Sequence, residues 1–242
     1  MEKEKNNLIE KMFGVGAHFG FVKSRRHPSV KSFIFGSKNK IEIFDLEKTS
    51  RELINALSFV ESKAKNKSLI LFVGGKSEAR EAVRKAGGAL DMPFVDGRWI
   101  GGTLTNFSEI KKRIGRLEEL NLQREKGELA KYTKKERLLI DREIDRLELY
   151  FGGLRNLKNL PKILVVIDPK KEHIAITEAK RMNIPVVSLA GSDADLTKID
   201  FPIPGNDASR QTIGFIIDEI IDAYKKGLKE SDKPVKNNSE EV

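Results

Sequence analysis

Cysteine is absent from all 242 residues, and with it go disulfide bonds, thiolate nucleophiles and cysteine-based zinc sites. A fold without such staples must be held by its core, and a 39% hydrophobic content over this length is enough for a sizeable one. No apolar run approaches the roughly 18 residues of a membrane span. The longest candidates are Leu69 to Val73 and Ile163 to Ile167, so no membrane partner is expected. The opening Met-Glu-Lys-Glu-Lys-Asn-Asn has no apolar signal core and mixes acids with bases, which predicts a cytoplasmic protein. Histidine is scarce too. His18, His27 and His173 show no metal-ligand spacing, and no Gly-x-Ser-x-Gly nucleophile motif is present. No catalytic residue, metal or cofactor is expected.

Charge, by contrast, is plentiful and uneven. Lys and Arg total 45 against 36 acidic residues, a net charge of +9 that favours a polyanionic partner. Between Lys11 and Lys40 there are seven Lys or Arg and no Asp or Glu, so most of the excess lies in one segment. Lys23, Arg25, Arg26, Lys31, Lys38 and Lys40 are nominated as phosphate contacts. Replacing Arg25 and Arg26 by alanine is then expected to weaken assembly without lowering the melting temperature. Phe13, Phe19, Phe21, Phe33 and Phe35 are interleaved with these cations, a pattern that suits base stacking. Strand and loop core is the reading preferred for the phenylalanines.

The fold class is α/β, because short apolar strands alternate with amphipathic helices. A helix is expected over about Asn7 to Phe13. Strands Ser32 to Phe35 and Lys40 to Phe44 make a hairpin around Gly-Ser-Lys-Asn, and Asp45 opens a helix to about Ala64. Leu69 to Val73, Pro93 to Val95, Ile163 to Ile167, Pro185 to Leu189 and Phe201 to Ile203 read as strands, the longer ones buried on both faces. Helices are predicted from Ser77 to Lys85, from an Asp168 cap to Met182, and from an Asn206 or Asp207 cap with Ile213, Ile216, Ile217, Ile220 and Ile221 inward. Gly74-Gly75-Lys76-Ser77 invites comparison with a phosphate loop. The required earlier glycine position is Ile70, inside a strand, so a tight turn is the better reading. Asp193, Asp195 and Asp200 are assigned turn or cap duty.

The α/β pattern covers residues 1–105 and 152–228 and is interrupted by 106–151. There Phe107, Ile110, Ile114 and Leu117, then Ile140, Ile144, Leu147 and Phe151, recur at spacings of three and four, the two sides of an antiparallel coiled-coil hairpin. Asn106 with Glu109 and Thr133 with Glu136 are spaced as capping boxes. The arm carries 12 basic and 10 acidic residues, a mostly solvated surface. The exception is a basic cluster near its base, where Lys111, Lys112 and Arg113 are added to the nominated contacts, with Arg98 just before it. Trp99, the single tryptophan, is read as a packing anchor for the arm. Residues 229–242 are polar and aperiodic, and a disordered tail is expected.

Several stretches together resemble one family, the bacterial form of ribosomal small-subunit protein number two. They are Ala17-His18-Phe19-Gly20, Phe35-Gly36 with Asn39-Lys40-Ile41, Asp45-Leu46-Glu47-Lys48-Thr49, Leu71-Phe72-Val73-Gly74, Arg98-Trp99-Ile100-Gly101-Gly102 with Leu104-Thr105-Asn106-Phe107, Ile184-Pro185-Val186-Val187 and Ile203-Pro204-Gly205-Asn206-Asp207. The resemblance implies a flavodoxin-like parallel sheet flanked by helices with the coiled-coil hairpin inserted. It also implies a non-catalytic component of the small ribosomal subunit, bound to small-subunit rRNA and to neighbouring ribosomal proteins, including the first small-subunit protein, and not a homo-oligomer. The chain departs from the family after Gly20, where Phe21 to Pro28 replace the usual His-Gln-Thr-Arg-Arg-Trp-Asn-Pro, and at Gly191 to Leu196, where Asp-Thr-Asn is usual. Two rivals stay open. One is a flavodoxin-like enzyme or binder of a phosphorylated small molecule near Gly74 and Asp168; the other is a coiled-coil adaptor working through protein contacts alone.

Overall fold

The structure, a computed structural model, describes residues 2–231, with side chains from residue 6 onward. Its strands are β1 (Phe19–Val22), β2 (Ile34–Lys38), β3 (Ile41–Phe44), β4 (Ile70–Val73), β5 (Phe94–Val95), β6 (Ile163–Ile167), β7 (Val186–Ala190) and β8 (Phe201–Pro204). The helices are α1 (Glu2–Gly14), α2 (Leu46–Ala64), α3 (Arg80–Leu90), α4 (Phe107–Glu125), α5 (Lys134–Phe151), α6 (His173–Arg181) and α7 (Arg210–Ser231). The last five strands form a parallel sheet in the order β5-β4-β6-β7-β8. Every residue of β4, β6 and β7 is buried, as continuous apolar runs covered on both faces require. Alternation divides them between two cores. Ile70, Phe72, Ile163 and Val165 pack with α2, α3 and α7, whereas Leu71, Val73, Leu164 and Val166 pack with α6 and the root of the α4/α5 arm.

The first three strands form a separate antiparallel sheet, in the order β1-β3-β2. Its third member, β1, is absent from the sequence-based expectation because Phe-Gly-Phe-Val is too short to show a period. The hairpin turn also lies further along than predicted. Lys38 pairs with Ile41, and Asn39 and Lys40 between them take φ of +53° and +67°. Two successive left-handed residues are what a two-residue type I′ turn needs, so Gly36 to Lys38 belong to the strand and Lys40 to the turn.

Asp45 caps α2 as expected, accepting from the amides of Glu47 and Lys48. Thr133 and Glu136 form a reciprocal capping box. Three other predicted caps are corrected. Asn106 makes no side-chain cap bond, and Glu109 instead pairs with Lys112 at 2.6 Å. Asp168 lies at φ +62°, outside the extended region an N-cap occupies, and α6 starts only at His173. Ser209, not Asn206 or Asp207, opens α7, taking the Ile213 amide on its carbonyl at 3.0 Å and the Thr212 amide on its hydroxyl. That helix continues through Ser231, past the predicted start of the tail at 229, helped by the Lys65 to Glu230 ion pair at 2.9 Å. The rest of the predicted tail lies outside the described residues.

In the arm, Ile110, Ile114, Leu117 and Leu120 of α4 and Ile144, Leu147 and Phe151 of α5 are buried along the shared seam. Phe107 and Ile140 pack partly buried beside them.

Candidate nucleic-acid interface

The small sheet carries the basic segment. Lys23 follows β1, Lys31 precedes β2, Lys38 ends β2, and Lys40 sits in the turn; all four are exposed. None forms an ion pair or side-chain hydrogen bond among the described residues. These four ammonium groups are therefore available to phosphates at no cost in internal pairing.

The two arginines between them behave differently. Arg26 reaches Glu42 at 2.9 Å, and Glu42, on β3, is 1% exposed. Its second carboxylate oxygen is buried without a partner, so the guanidinium is the charge that makes this burial tolerable. Arg25 is half exposed, donates to Asp193 at 2.9 Å, and lies over the Phe21 ring at 4.5 Å. Asp193 has a second cation, Lys170, at 2.9 Å. Arg26 thus locks the small sheet, while Arg25 bridges it to the loop after β7. The same loop is held by Ser192, whose hydroxyl accepts from the Phe21 amide at 2.8 Å and whose carbonyl accepts from the His27 amide at 2.9 Å. His27 also takes the Ser29 amide on Nδ1, a capping role.

The reading of the phenylalanines as core holds for Phe33, which packs on the core cluster, but not for the most exposed of them. Phe13, Phe19 and Phe35 are 63%, 48% and 81% exposed. Phe19 pairs with Ile43 and lines a crevice with Ile41, Gly205 and Asn206, and the β2 register shift between Ile34 and Gly36 leaves Phe35 outside the ladder.

Near the arm, Arg98, Lys111, Lys112 and Arg113 are all exposed. Lys112 is paired to Glu109, and Lys111 lies 5.7 Å from the Phe107 ring. What fixes their position is Glu178, on α6, which the sequence reading overlooked. Its Oε1 accepts from the Trp99 indole at 3.0 Å and the Gly102 amide at 2.8 Å. Its Oε2 accepts from the Leu104 amide at 2.9 Å and from the Thr105 amide and hydroxyl at 3.1 and 3.2 Å. Burial pushes this carboxyl up, but the hydrogen bonds from Trp99, Gly102, Leu104 and Thr105 prevail and hold it below its ordinary value. Trp99 is 5% exposed, so it anchors as expected. The available signal was a lone acid on the helix face made by Ala175, Ile176 and Ala179.

At the ends of β4 and β6 the presumed phosphate crevice is closed by the chain itself. The Gly75 amide donates to Glu172 at 3.2 Å, and Lys76 pairs with Asp168 at 3.1 Å and Asp207 at 3.8 Å. A side chain at Gly75 would strike the Gly97 carbonyl. Burial raises the Asp207 carboxyl to about 7 against the pull of Lys76, and one of its oxygens has no partner. Asp195 accepts from Thr197 and Asp200 from the Val186 amide, both structural duties. Among the described residues no cluster of three His, Asp or Glu is placed to hold a metal. No helix there is long and apolar enough to cross a membrane.

A sequence profile of the family described as Ribosomal protein S2 matches residues 12–227, nearly the whole folded chain. The chain belongs to the ribosomal protein S2 family. It is 43% identical to the small ribosomal subunit protein uS2 of Sulfurimonas denitrificans over 231 residues, covering 94% of this chain and 89% of the relative. The protein of the same description from Rhodopirellula baltica is 41% identical over 222 residues, covering 92% and 85%, and that from Psychromonas ingrahamii 39% over 222, covering 92% and 91%. The match includes the arm as well as the α/β body, so membership rests on both parts of the fold.

Proposed function

We propose that this chain is a structural, non-catalytic component of the small ribosomal subunit, working on cytoplasmic ribosomes and binding small-subunit rRNA mainly through backbone phosphates. The observation that carries this reading is the exposed lysine set, Lys23, Lys31, Lys38 and Lys40, free of internal ion pairs on one small sheet of a protein with net charge +9. Arg25, Arg98, Lys111 and Arg113 supplement it. Residues 106–151 act as an arm set on the body formed by 1–105 and 152–228, and neighbouring ribosomal proteins, the first small-subunit protein among them, are further partners. Each phosphate neutralised contributes about 0.7–0.9 to the slope of log affinity against log salt, so the four lysines together supply about 3. In a sucrose gradient of cell extract the chain should comigrate with the small subunit at low salt and leave it at high salt. Replacing the four lysines by alanine should lower the salt slope of RNA binding by about 3. A chain that stays at the top of the gradient under both conditions overturns the reading.

A further inference from the structure

Phosphate contact leaves the aromatic side of the small sheet without a use. Phe13 at the end of α1, His18 and Phe19 at the start of β1 form a continuous run of rings. Phe13 and His18 stack at 4.5 Å with planes 12° apart, and His18 meets Phe19 at 4.0 Å and 41°. Both phenylalanines of the run are largely exposed, as is Phe35 nearby in sequence on β2. Val22 and Ile41, paired across β1 and β3, add further exposed apolar surface at 39% and 41%. Apolar surface of this kind does not stay bare without a partner. The free lysines say which partner: Lys38 and Lys40 border Ile41, and Lys23 follows Val22.

We propose that this face is a stacking platform for unpaired RNA bases, the ring run Phe13, His18 and Phe19 being extended by nucleobases while Lys23, Lys38 and Lys40 hold the adjoining phosphates. The inference rests on the RNA-binding reading above and adds to it the class of RNA: a single-stranded, loop or bulge segment, not a duplex. Three physical arguments support it. Flat rings stack on flat bases with little loss of side-chain freedom, and every base offers such a face. A prestacked run is already ordered, so the protein does not lose further rotamer entropy on binding. A duplex, whose bases are stacked on one another, has no use for exposed rings, whereas splayed bases do. A protein partner would use the same apolar face but gives no reason for three unpaired cations, Lys23, Lys38 and Lys40, to border it.

The test uses the full chain, a twelve-nucleotide unstructured RNA carrying 2-aminopurine, and an RNA duplex of the same length. Aminopurine emission should be quenched on binding the single strand. Phe19→Leu and Phe13→Leu keep apolar area but remove the ring; each should relieve the quenching and weaken single-strand binding about tenfold, within the range for loss of one stacking ring. Duplex affinity and salt slope should stay unchanged, and because both positions are exposed the melting temperature serves as a folding control. The lysine-to-alanine variants should do the opposite, lowering the salt slope for both RNAs while leaving the quenching of bound oligonucleotide intact. If the leucine variants bind and quench like the parent while the lysine variants lose slope, the platform is refuted and the phosphate reading survives. If neither set alters RNA binding, both fall. Leucine variants that release a ribosomal protein from the subunit with RNA binding unaltered would assign the face to protein and overturn the inference.

Discussion

Glu178 provides the sharpest test of how the arm is held to the body. Replacing it with glutamine keeps its size and one acceptor oxygen, which can still serve the Trp99 indole and the Gly102 amide. The amide nitrogen must then face the donors of Leu104 and Thr105, which sit 2.9 and 3.1 Å from Oε2. A buried donor deprived of its acceptor costs about 1–3 kcal/mol. Leu104 is buried and Thr105 is exposed enough to recover water, so the net loss should be about 2–3 kcal/mol. Alanine strands the Trp99 indole as well and should cost about 3–5 kcal/mol. With an m-value of about 2–3 kcal/mol/M, the glutamine variant should lower the urea midpoint by about 1 M. Trp99 is the sole tryptophan, so its fluorescence reports the same site, and its emission should shift to the red in the alanine variant. The effect depends on pH. A carboxyl held below its ordinary value stabilises the native state at pH above the unfolded value and loses that contribution as pH falls through the folded one. The gap between parent and glutamine variant should therefore close in acid. A urea midpoint within about 0.2 M of the parent, with unchanged emission, would refute the assignment of Glu178 as the anchor.

Three further outcomes are expected. Arg26→Ala leaves Glu42 buried and uncompensated and should destabilise by about 3–5 kcal/mol, whereas Arg25→Ala leaves Asp193 its Lys170 partner and should cost about 1 kcal/mol or less; thermal melts of the two variants separate them, and equal shifts would contradict the structure. Asp207→Asn removes a carboxyl raised to about 7. Because the native parent retains a proton that the unfolded chain releases, parent stability declines as pH rises from about 4 toward that value; urea midpoints should show the variant gaining on the parent across this window and holding its lead above it. Lys40→Gly relieves a left-handed lysine and should add about 1 kcal/mol and about 2–4 °C to Tm, while salt titration of RNA binding shows about 0.7–0.9 less slope.

How much of this was legible depended on the range of the interactions. The buried strands announce themselves because a parallel sheet covered on both sides demands runs such as Ile-Leu-Val-Val-Ile, and the arm does so through its three-four spacing. Both are local patterns. Thr133 with Glu136 formed its capping box because solvent surrounds it and nothing competes for either side chain. Asn106 with Glu109 has the same spacing and failed, since the preceding residues are pinned by a carboxylate more than seventy positions away and Lys112 claims Glu109. Arg25 and Arg26 were indistinguishable in the sequence, and only the register that brings Glu42 beneath Arg26 separates a structural cation from one shared with the surface. The exposed phenylalanines misled for a related reason. In a strand of four residues, which face is the inner one is set by the partner strand, not by the residues themselves.

The closed strand ends explain why this α/β sheet serves a scaffold. In an open parallel sheet, ligands collect beyond the carboxyl ends of the strands where the strand order reverses, here between β4 and β6. Binding a phosphate there needs free amides and positive charge. Instead the Gly75 amide is taken by Glu172, and the carboxylates of Asp168, Glu172 and Asp207 outnumber Lys76 and Lys171 around the opening. An incoming phosphate would have to displace these internal contacts. The excess of positive charge lies elsewhere, with seven cations and no acids between Lys11 and Lys40. The polar groups that would make the crevice a ligand site are spent on joining loops of the chain to one another. Under the proposed reading, phosphate contact falls instead to the exposed cations of the small sheet and the base of the arm.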